Sequence, residues 1–429
     1  MRFLDGAQIE RIRERFGTPV YVYDQATLEA AADQVLAFPA PCRLVGRFAM
    51  KALPTAAVLR IFDAKGLHID ASSGFEAERA LRAGIAPERI QITAQEIPKD
   101  LKGLVQRGVL YNACSLHQLR RFGELFPGRD LSIRINPGLG SGHNNRTNVG
   151  GPSSSFGIWH EKLEDVLAMA REFDLTISGL HTHIGSGGDP EVWKRCAAMT
   201  LEIATRLPDL NRLSLGGGFK VARLPEETGA DLHAIGEALR PALAAFISQR
   251  VIAQRETAQR ENFQLEIEPG TFLVANAGAI LAEIIDVVDT HPASGSSADG
   301  NTFLKIDSGM TELLRPSVYG AQHPLTVVAH GRPAPAEESD YLVAGHCCES
   351  GDILTPAPGD PEGLAARRLA RAEIGDTLVI EGAGAYASGM SAKNYNAFPE
   401  AAEVLIDTNG EARLVRQRQT LEQALQNEL

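Results

Sequence analysis

The sequence alternates strand-like and helix-like segments between residues 43 and 269, and this rhythm restricts the fold more than any other feature. The strand-like segments are short, and helix-favouring segments fill most of the gaps between them. Eight such repeats over roughly 250 residues are typical of a (β/α)8 barrel. The predicted strands are 43–50, 67–72, 89–94, 110–115, 130–136, 176–185, 212–216 and 264–269. The predicted helices are 54–65, 75–84, 98–107, 116–126, 160–172, 190–206 and 230–259.

A doubly wound open sheet is the alternative α/β fold, but the Gly-rich turn that usually follows its first strand is missing. After about residue 280 the rhythm changes, because strand-like segments separated by loops replace the helices. We therefore predict an α/β chain with a (β/α)8 barrel at 26–279. An all-β domain, similar to a sandwich or barrel, is expected to comprise residues 1–25 and 280–429, and the strand at 19–23 is expected to join it.

The composition is that of a globular protein, with 44% hydrophobic and 22% charged residues among 429. A net charge of −12 without a basic cluster argues against nucleic acid and anionic membranes as partners. No apolar run is long enough to span a membrane, and the charged N-terminus does not resemble a signal peptide. Five scattered cysteines fit a reducing compartment, so we expect a cytoplasmic protein.

Lys51 follows the first predicted strand, at the edge where barrels of this kind place their catalytic groups. An amine held there in a partly dry environment has a lowered pKa and can form a Schiff base. An ordinary surface lysine is the alternative interpretation. Other polar residues lie on or at the ends of predicted strands, and in a barrel their side chains would converge near Lys51. They are Asp70 at the end of the second strand, Arg134 and Asn136 on the fifth, His181 and His183 on the sixth, and Glu268 at the end of the eighth.

Two loops at neighbouring strand ends are rich in glycine. One contains Ser186 between Gly185 and Gly187, and the other is Gly216–Gly218. Consecutive backbone N–H groups in such loops bind anions, and a serine hydroxyl can add a further donor. Either loop alone would be interpreted as a tight turn. Two of them beside a candidate Schiff-base lysine favour a phosphorylated cofactor.

His181 and His183 lie two residues apart on a strand and so share a face. A metal pair is conceivable, but the sequence shows no third ligand at a suitable spacing. Stacking of one imidazole on a cofactor ring is a better interpretation, and an ordinary core histidine is equally plausible for His181. Glu268 is a carboxylate in an apolar strand and needs a partner, which a protonated pyridine nitrogen would supply. Together with Lys51, these residues indicate pyridoxal 5′-phosphate.

The chain resembles the barrel-type pyridoxal-phosphate decarboxylases with the alanine racemase-like fold, and among them the diaminopimelate decarboxylases. The resemblance covers nearly the whole chain, and the Cys-Glu-Ser-Gly-Asp motif is fairly specific for this group. The matching segments are Phe48–Ala52, Arg134–Gly138, Phe156–Gly157, His181–Gly187, Leu215–Gly218, Glu268–Gly270, Asp307–His323, Cys348–Asp352, Gly384–Tyr386, Met390–Ser391 and Asn394–Asn396.

The resemblance implies a role for each matching position. Lys51 would bind the cofactor covalently, with Asp70 near it, His183 stacked on the ring and Glu268 on the pyridine nitrogen. The remaining cofactor contacts, chiefly to the phosphate, would come from Ser186, Gly216, Gly217, Gly218, Gly270 and Tyr386.

The resemblance also implies a homodimer whose active sites are shared across the interface. Cys348 and Glu349 would come from the partner subunit, with Cys348 near the reacting carbon. Arg315 and Tyr319 would bind the distal carboxylate of the substrate, Glu349 its distal ammonium group, and Tyr386 would also contact it. Lys51 or Cys348 would return a proton to the α-carbon, and His183 would assist catalysis.

The implied reaction is the decarboxylation of meso-2,6-diaminopimelate to L-lysine and CO2, which is a step of lysine biosynthesis. Three departures leave the substrate open: Thr271 where the family usually has Arg, Ser155 where Lys is usual, and His346-Cys347 where Pro-Leu is common. Decarboxylases of ornithine, lysine, arginine or carboxylated polyamines are therefore alternatives. Arg315 favours a substrate with a distal carboxylate, although a structural ion pair would also explain it.

Two alternatives lie outside the decarboxylases. A racemase of the same fold would have Arg at the pyridine nitrogen and Tyr as its second base, so Glu268 and Cys348 favour decarboxylation. A non-catalytic carrier or regulator that binds pyridoxal phosphate would lack the region after residue 280, or would have lost Lys51 or Cys348. All three features are present.

Overall fold

The computed structural model describes residues 1–139, 150–183, 185, 187–254, 263–292 and 300–429. The chain forms two compact units. The barrel unit comprises Glu29–Val221 and Thr228–Leu273, and the β-rich unit comprises Met1–Leu28, Ala222–Glu227 and Val274–Leu429. The segment Ala222–Glu227, which the sequence analysis places inside the barrel, therefore belongs to the β-rich unit.

The chain begins with helix α1 (Gly6–Phe16), strand β1 (Val20–Asp24) and helix α2 (Gln25–Leu36). Asp5 caps α1, because its side chain accepts a hydrogen bond from the backbone N–H of Gln8 while the Gln8 side chain bonds back.

The barrel unit contains eight parallel strands that close on themselves, which confirms the predicted fold. The strands in this region are β2 (Arg43–Ala49), β3 (His68–Ala71), β4 (Ile90–Ile92), β5 (Leu110–Ala113), β6 (Asp130–Asn136), the short β7 (Ile158–Trp159), β8 (Thr176–His181), β9 (Arg212–Ser214) and β10 (Gln264–Ile267). The barrel order is β2-β3-β4-β5-β6-β8-β9-β10, and β10 pairs again with β2, whereas β7 pairs only with β6.

Helices follow most barrel strands at the predicted places. They are α3 (Ala56–Lys65), α4 (Gly74–Arg82), α5 (Leu101–Gln106), α6 (Leu116–Leu125), α7 (Leu163–Glu172), α8 (Pro190–Ala204), α9 (Leu232–Gln254) and the short α10 (Thr271–Val274). The strands predicted at 212–216 and 264–269 end two residues early. Gly216 has a φ of 71°, which belongs to a turn and not to a strand.

The β-rich unit is built around one mixed nine-stranded sheet. Its later elements are β11 (Gly278–Asp289), β12 (Thr302–Ile306), α11 (Arg315–Tyr319), β13 (Leu325–Val328), β14 (Glu338–Ala344), β15 (Pro356–Ala357), β16 (Asp360–Leu364), β17 (Arg367–Ala370), β18 (Thr377–Glu381), β19 (Ala402–Ile406), β20 (Ala412–Arg416) and α12 (Leu421–Leu425). β1 pairs antiparallel with β11 and parallel with β19, so the N-terminal strand is part of this sheet. Its apolar core includes Val20, Val22, Leu281, Val379 and Val404.

A buried ion cluster lies inside the barrel. Arg47 on β2 and Glu266 on β10 are both 1% exposed, and Arg47 Nε donates to Glu266 Oε2 over 2.8 Å. Arg212 on β9 donates to Glu266 Oε1 over 3.0 Å and also to Gln91. Although burial alone would raise it, the two guanidinium groups keep the pKa of Glu266 far below its ordinary value. Arg47 is predicted only as part of a strand, and the sequence does not reveal this cluster.

All five cysteines are free thiols. Among the described helices, none combines the length and the apolar character needed to cross a bilayer.

His68, at the start of β3, supplies a pH-dependent contribution to stability. Burial, followed by the charge of Arg47, lowers its pKa to about 4. Because the unfolded histidine titrates near 6.5, the unfolded chain binds more protons as the pH falls below this value, and the folded state loses stability. When the pH falls from 7 to 4.5, the free energy of unfolding should therefore decrease for both proteins. The decrease should be about 1–2 kcal/mol smaller for His68→Gln than for the unmodified protein. Urea denaturation at both pH values measures this difference.

Exposed His117 offers the matched control for this experiment. His117→Gln should follow the pH dependence of the unmodified protein. If the His68 variant follows it too, burial does not keep His68 neutral.

Candidate active site

Lys51 lies in a single 3₁₀ turn, Met50–Ala52, directly after β2. The backbone N–H of Ala49 donates to Pro269 O over 3.1 Å, which ties the end of β2 to the end of β10. Met50 and Ala52 are buried, whereas Lys51 is exposed in the chain. The turn therefore presents the amine at the carboxyl end of the barrel strands, as the sequence predicts.

Asp70, at the end of β3, is a buried acid whose pKa is affected by the charge of Lys51. It is 5% exposed, and its Oδ1 has no hydrogen-bond partner among the described residues. Burial, followed by the charge of Glu268, raises its pKa above the ordinary value, while the ammonium of Lys51 opposes this shift. Glu76 behaves similarly, because burial raises its pKa and Lys51 again opposes the increase. The prediction that Asp70 lies near Lys51 agrees with these electrostatic effects.

Glu268 is held by side chains of the barrel interior. Ser214 Oγ donates to Glu268 Oε1 over 2.8 Å, and His181 Nε2 lies 3.1 Å from Glu268 Oε2. Asn112 Nδ2 lies 2.8 Å from His181 Nδ1, so Nδ1 accepts this bond and the ring proton is on the Nε2 that faces Glu268. Burial alone would raise the pKa of Glu268, but His181 and Ser214 keep it below the ordinary value. Glu268 is therefore a fixed, ionised carboxylate.

His183 lies next to the Gly216–Gly218 loop. Its Nδ1 accepts a hydrogen bond from the backbone N–H of Gly217 over 2.8 Å, so the ring carries its proton on Nε2. Burial, followed by the charge of Arg134, keeps the pKa of His183 well below its ordinary value. The imidazole is therefore neutral and can pack on an aromatic ring.

The ligand atoms of His181, His183 and Glu268 lie within 4.8 Å of one another, so the structure supplies the third residue that the sequence does not reveal. Both imidazoles, however, accept hydrogen bonds at Nδ1 and carry their protons on Nε2. A histidine binds a metal through a nitrogen with a free lone pair. The observed bonding therefore favours a hydrogen-bonded network over a metal centre.

Close packing and backbone conformation explain why residues 216–218 are glycines. A side chain at Gly217 would collide with the backbone oxygen of Glu268, and Gly216 and Gly218 have φ values of 71° and 103°. The Gly216 N–H lies 3.2 Å from Ser214 Oγ, and the Gly217 N–H bonds to His183. Two of the three N–H groups predicted to bind phosphate thus have acceptors within the chain, and the phosphate role of the loop stays a prediction.

Two further residues of the barrel unit, Gly270 and Ser186, are predicted to bind the cofactor. Gly270 is buried immediately before α10, and a Cβ there would lie 3.3 Å from the Cβ of Ala49. Ser186 lies outside the described residues.

Arg315, Tyr319 and Tyr386 are close in the β-rich unit, as their mutual electrostatic effects show. Burial lowers the pKa of Arg315, and the two phenols oppose this shift. Arg315 Nη1 lies 3.4 Å from Nε2 of His323, whose Nδ1 is 2.9 Å from the carbonyl oxygen of Glu381. Because a carbonyl can only accept, His323 Nδ1 carries the proton and Nε2 accepts from Arg315. A neutral histidine thus orients the guanidinium.

Cys348 and Glu349 are both exposed in the chain. The Cys348 N–H donates to Asn396 Oδ1 over 2.8 Å, and Tyr395 Oη donates to Glu349 Oε2 over 3.3 Å. The structure also explains the unusual His346, whose ring stacks on Phe398 with centroids 3.6 Å apart.

Several residues that orient the predicted site residues, or lie near them, were not identified from the sequence. Asn112 and Ser214 orient His181 and Glu268, His323 orients Arg315, and Arg223 is buried in the β-rich unit. Asn112 and Ser214 are polar residues in otherwise apolar barrel strands, and this signal was available in the sequence.

Comparisons with known proteins agree with this geometry. The family model described as "Pyridoxal-dependent decarboxylase, pyridoxal binding domain" matches residues 27–275. A diaminopimelate decarboxylase of Streptomyces coelicolor is 37% identical over 99% of this chain and 92% of its own length. The diaminopimelate decarboxylase of Escherichia coli K12 is 35% identical over 99% of this chain and 97% of its own length.

Solved structures give the same result. A crystal structure of a diaminopimelate decarboxylase superposes with a TM-score of 0.85 at 34% identity, covering 98% of this chain and 95% of the other. The Helicobacter pylori diaminopimelate decarboxylase, solved in complex with L-lysine, gives a TM-score of 0.81 at 25% identity and covers 98% of both chains.

Proposed function

We propose that this chain, which belongs to the pyridoxal-dependent decarboxylases and within them to the diaminopimelate decarboxylase group, converts meso-2,6-diaminopimelate to L-lysine and CO2. This reaction would complete a lysine-biosynthetic route. Decarboxylation of an ornithine-type substrate is the alternative, because Thr271 stands where the family usually has Arg.

The barrel residues fit pyridoxal phosphate chemically. Lys51 supplies an amine for the aldehyde, and Glu268 supplies a buried carboxylate that can hold a proton on the pyridine nitrogen. Asp70 Oδ1 is a buried oxygen without a partner among the described residues, as expected where a polar ligand binds. His183 offers a neutral ring. The ionised Glu268, fixed by His181 and Ser214, is the observation that carries the assignment, because it is the group that racemases of this fold replace by Arg.

Bound pyridoxal phosphate would supply a conjugated ring that accepts the electron pair left when CO2 departs. Glu268 would stabilise the protonated ring nitrogen. The hydrogen bond from Ser214, with His181 Nε2 only 3.1 Å from Oε2, holds the carboxylate in place before reaction. Lys51 would hold the cofactor, release it to the substrate amine and then carry a proton. Asp70 lies close enough to Lys51 to influence that proton transfer.

The substrate groups outside the reaction centre would be bound by the β-rich unit. Arg315, oriented by His323, would bind the distal carboxylate together with Tyr319, and Tyr386 would contact the substrate and the phosphate. We propose a homodimer in which Cys348 and Glu349 of one subunit complete the site of the other. Their exposure in the single chain supports this arrangement. The five free cysteines support a cytoplasmic location.

Product analysis tests the proposed function. Purified protein supplied with pyridoxal phosphate and meso-diaminopimelate should form L-lysine and CO2 in equal amounts, as measured by chiral chromatography and trapped CO2. D-Lysine, or no lysine at all, would contradict the proposal.

Glu268→Gln should lower kcat by about 10²- to 10³-fold, because it removes the charge that stabilises the protonated ring nitrogen and keeps the side-chain size. Cofactor binding should be retained, as shown by the bound pyridoxal phosphate after gel filtration. Ser214→Ala removes the hydrogen bond that Ser214 Oγ donates to Glu268 and should cause a smaller loss. Equal activity of the Gln variant would rule out an electrostatic role for Glu268.

A further inference from the structure

Arg223 is a buried cation that none of the roles described so far uses. It lies in the segment Ala222–Glu227, which belongs to the β-rich unit, and is 9% exposed. Its Nε donates to the carbonyl oxygen of Gly382 over 3.1 Å. Its Nη2 is buried and has no hydrogen-bond partner among the described residues. A guanidinium that is more than nine-tenths buried normally has an acceptor for each buried nitrogen, so Nη2 requires one.

The second cation in this region is Arg315. Burial, followed by the charge of Arg315, lowers the pKa of Arg223 to about 9, so the two guanidinium groups are close enough to repel each other. The carboxylate of Glu227 is close enough to both arginines to oppose the lowering of their pKa values. Its Oε2 accepts hydrogen bonds from the backbone N–H groups of Arg223 and Leu224. Two guanidinium groups beside one carboxylate leave an excess of buried positive charge, which is unfavourable.

His323 and Tyr386 also lie beside the two arginines. His323 is neutral, because burial and the two arginines keep its pKa well below the ordinary value, and it accepts from Arg315. The Tyr386 phenol influences the pKa of both arginines, and it lies on backbone with a φ of 55°, which is rare for a bulky residue. Strained backbone of this kind persists where neighbouring structure requires it and is frequent at ligand sites.

We propose that Arg223 and Arg315 together bind one carboxylate of the substrate, so that Arg223 is a second residue that selects substrates with a distal carboxylate. This inference rests on the proposed function for the identity of the substrate. A carboxylate has two oxygens and can accept hydrogen bonds from two guanidinium groups at once. It would supply the missing acceptor for Nη2 and balance the excess positive charge of the two arginines.

Equilibrium binding to the protein loaded with pyridoxal phosphate tests this proposal. The probes are L-lysine, which carries a carboxylate, and cadaverine, which has the same two amines without one. Arg223→Met should weaken L-lysine binding about 10- to 100-fold and leave cadaverine binding within about 3-fold. Arg223→Lys keeps the charge and loses the planar fork, so its affinity for L-lysine should lie between those of the unmodified protein and Arg223→Met. Exposed Arg413 provides the matched control, and Arg413→Met should change neither affinity.

Kinetics with meso-diaminopimelate give a second measurement. Arg223→Met should raise KM about 10- to 100-fold with little change in kcat, because the distal carboxylate is bound equally in the ground and transition states. Equal losses for L-lysine and cadaverine would show that Arg223 only holds Gly382, and no loss would show that it does not bind substrate; either result overturns the inference. If the unmodified protein releases no CO2 from diaminopimelate but L-lysine binding still depends on Arg223, the proposed function fails and the carboxylate site stands.

Discussion

Lys51→Ala is expected to reduce CO2 release from meso-diaminopimelate by a factor on the order of 10⁴, because in the proposed function Lys51 would both hold the cofactor and carry a proton. Turnover at saturating substrate and pyridoxal phosphate measures the loss. Borohydride treatment should also attach the cofactor to the peptide that contains residue 51 in the unmodified protein, as detected by mass spectrometry.

Lys65, on α3 of the same unit, provides the control. Its amine lies 2.5 Å from Asp33, so it forms a surface ion pair and has no predicted catalytic role. Lys65→Ala should keep full activity and leave the attachment of the cofactor to residue 51 unchanged. Attachment to another lysine in the unmodified protein, or an active Lys51→Ala variant, would remove Lys51 from the reaction.

Glu266→Gln should destabilise the barrel unit by about 3 kcal/mol or more, because Arg47 and Arg212 would lose the carboxylate that neutralises them inside the barrel. The change keeps the side-chain size, so it creates no cavity. Urea denaturation followed by tryptophan fluorescence measures the effect selectively. The chain has two tryptophans, Trp159 and Trp193, and both belong to the barrel unit.

The surface pair formed by Arg120 and Glu172 gives the comparison, since both side chains are about half exposed. Glu172→Gln should change the free energy of unfolding by less than about 1 kcal/mol. Replacing Arg47 and Glu266 together by Met and Leu should cost less than Glu266→Gln, because no buried charge is then left unpaired. Equal effects at the buried and surface pairs would contradict this assignment.

The barrel could be predicted because its strands and helices alternate in the sequence at the correct lengths. The strand 19–23 was expected in the β-rich unit because it precedes the first repeat, and β1 pairs there with β11 and β19. The position of Ala222–Glu227 in that unit could not be predicted, since the composition of this segment is that of an ordinary loop. The contacts that define it join Arg2 and Gly382 to this segment across long stretches of chain.

The candidate site could be predicted where a residue type is unusual for its strand, as with Glu268, or where it follows a strand, as with Lys51. The interior network was harder to predict because both faces of a barrel strand are buried, so the pattern does not tell which side chains point inward. Asn112, Ser214 and Arg47 were missed for this reason. His323 and Arg223 were missed because their partners are distant in the sequence.

CO2 release by the purified protein with pyridoxal phosphate identifies the substrate most directly. The substrates to compare by kcat/KM are meso-diaminopimelate, D-lysine, L-lysine, L-ornithine and L-arginine. We expect turnover of meso-diaminopimelate at least about 100-fold above the others, because only this substrate offers a distal carboxylate for Arg315. Faster turnover of a plain diamino acid would contradict this expectation and would make Arg315 a structural residue.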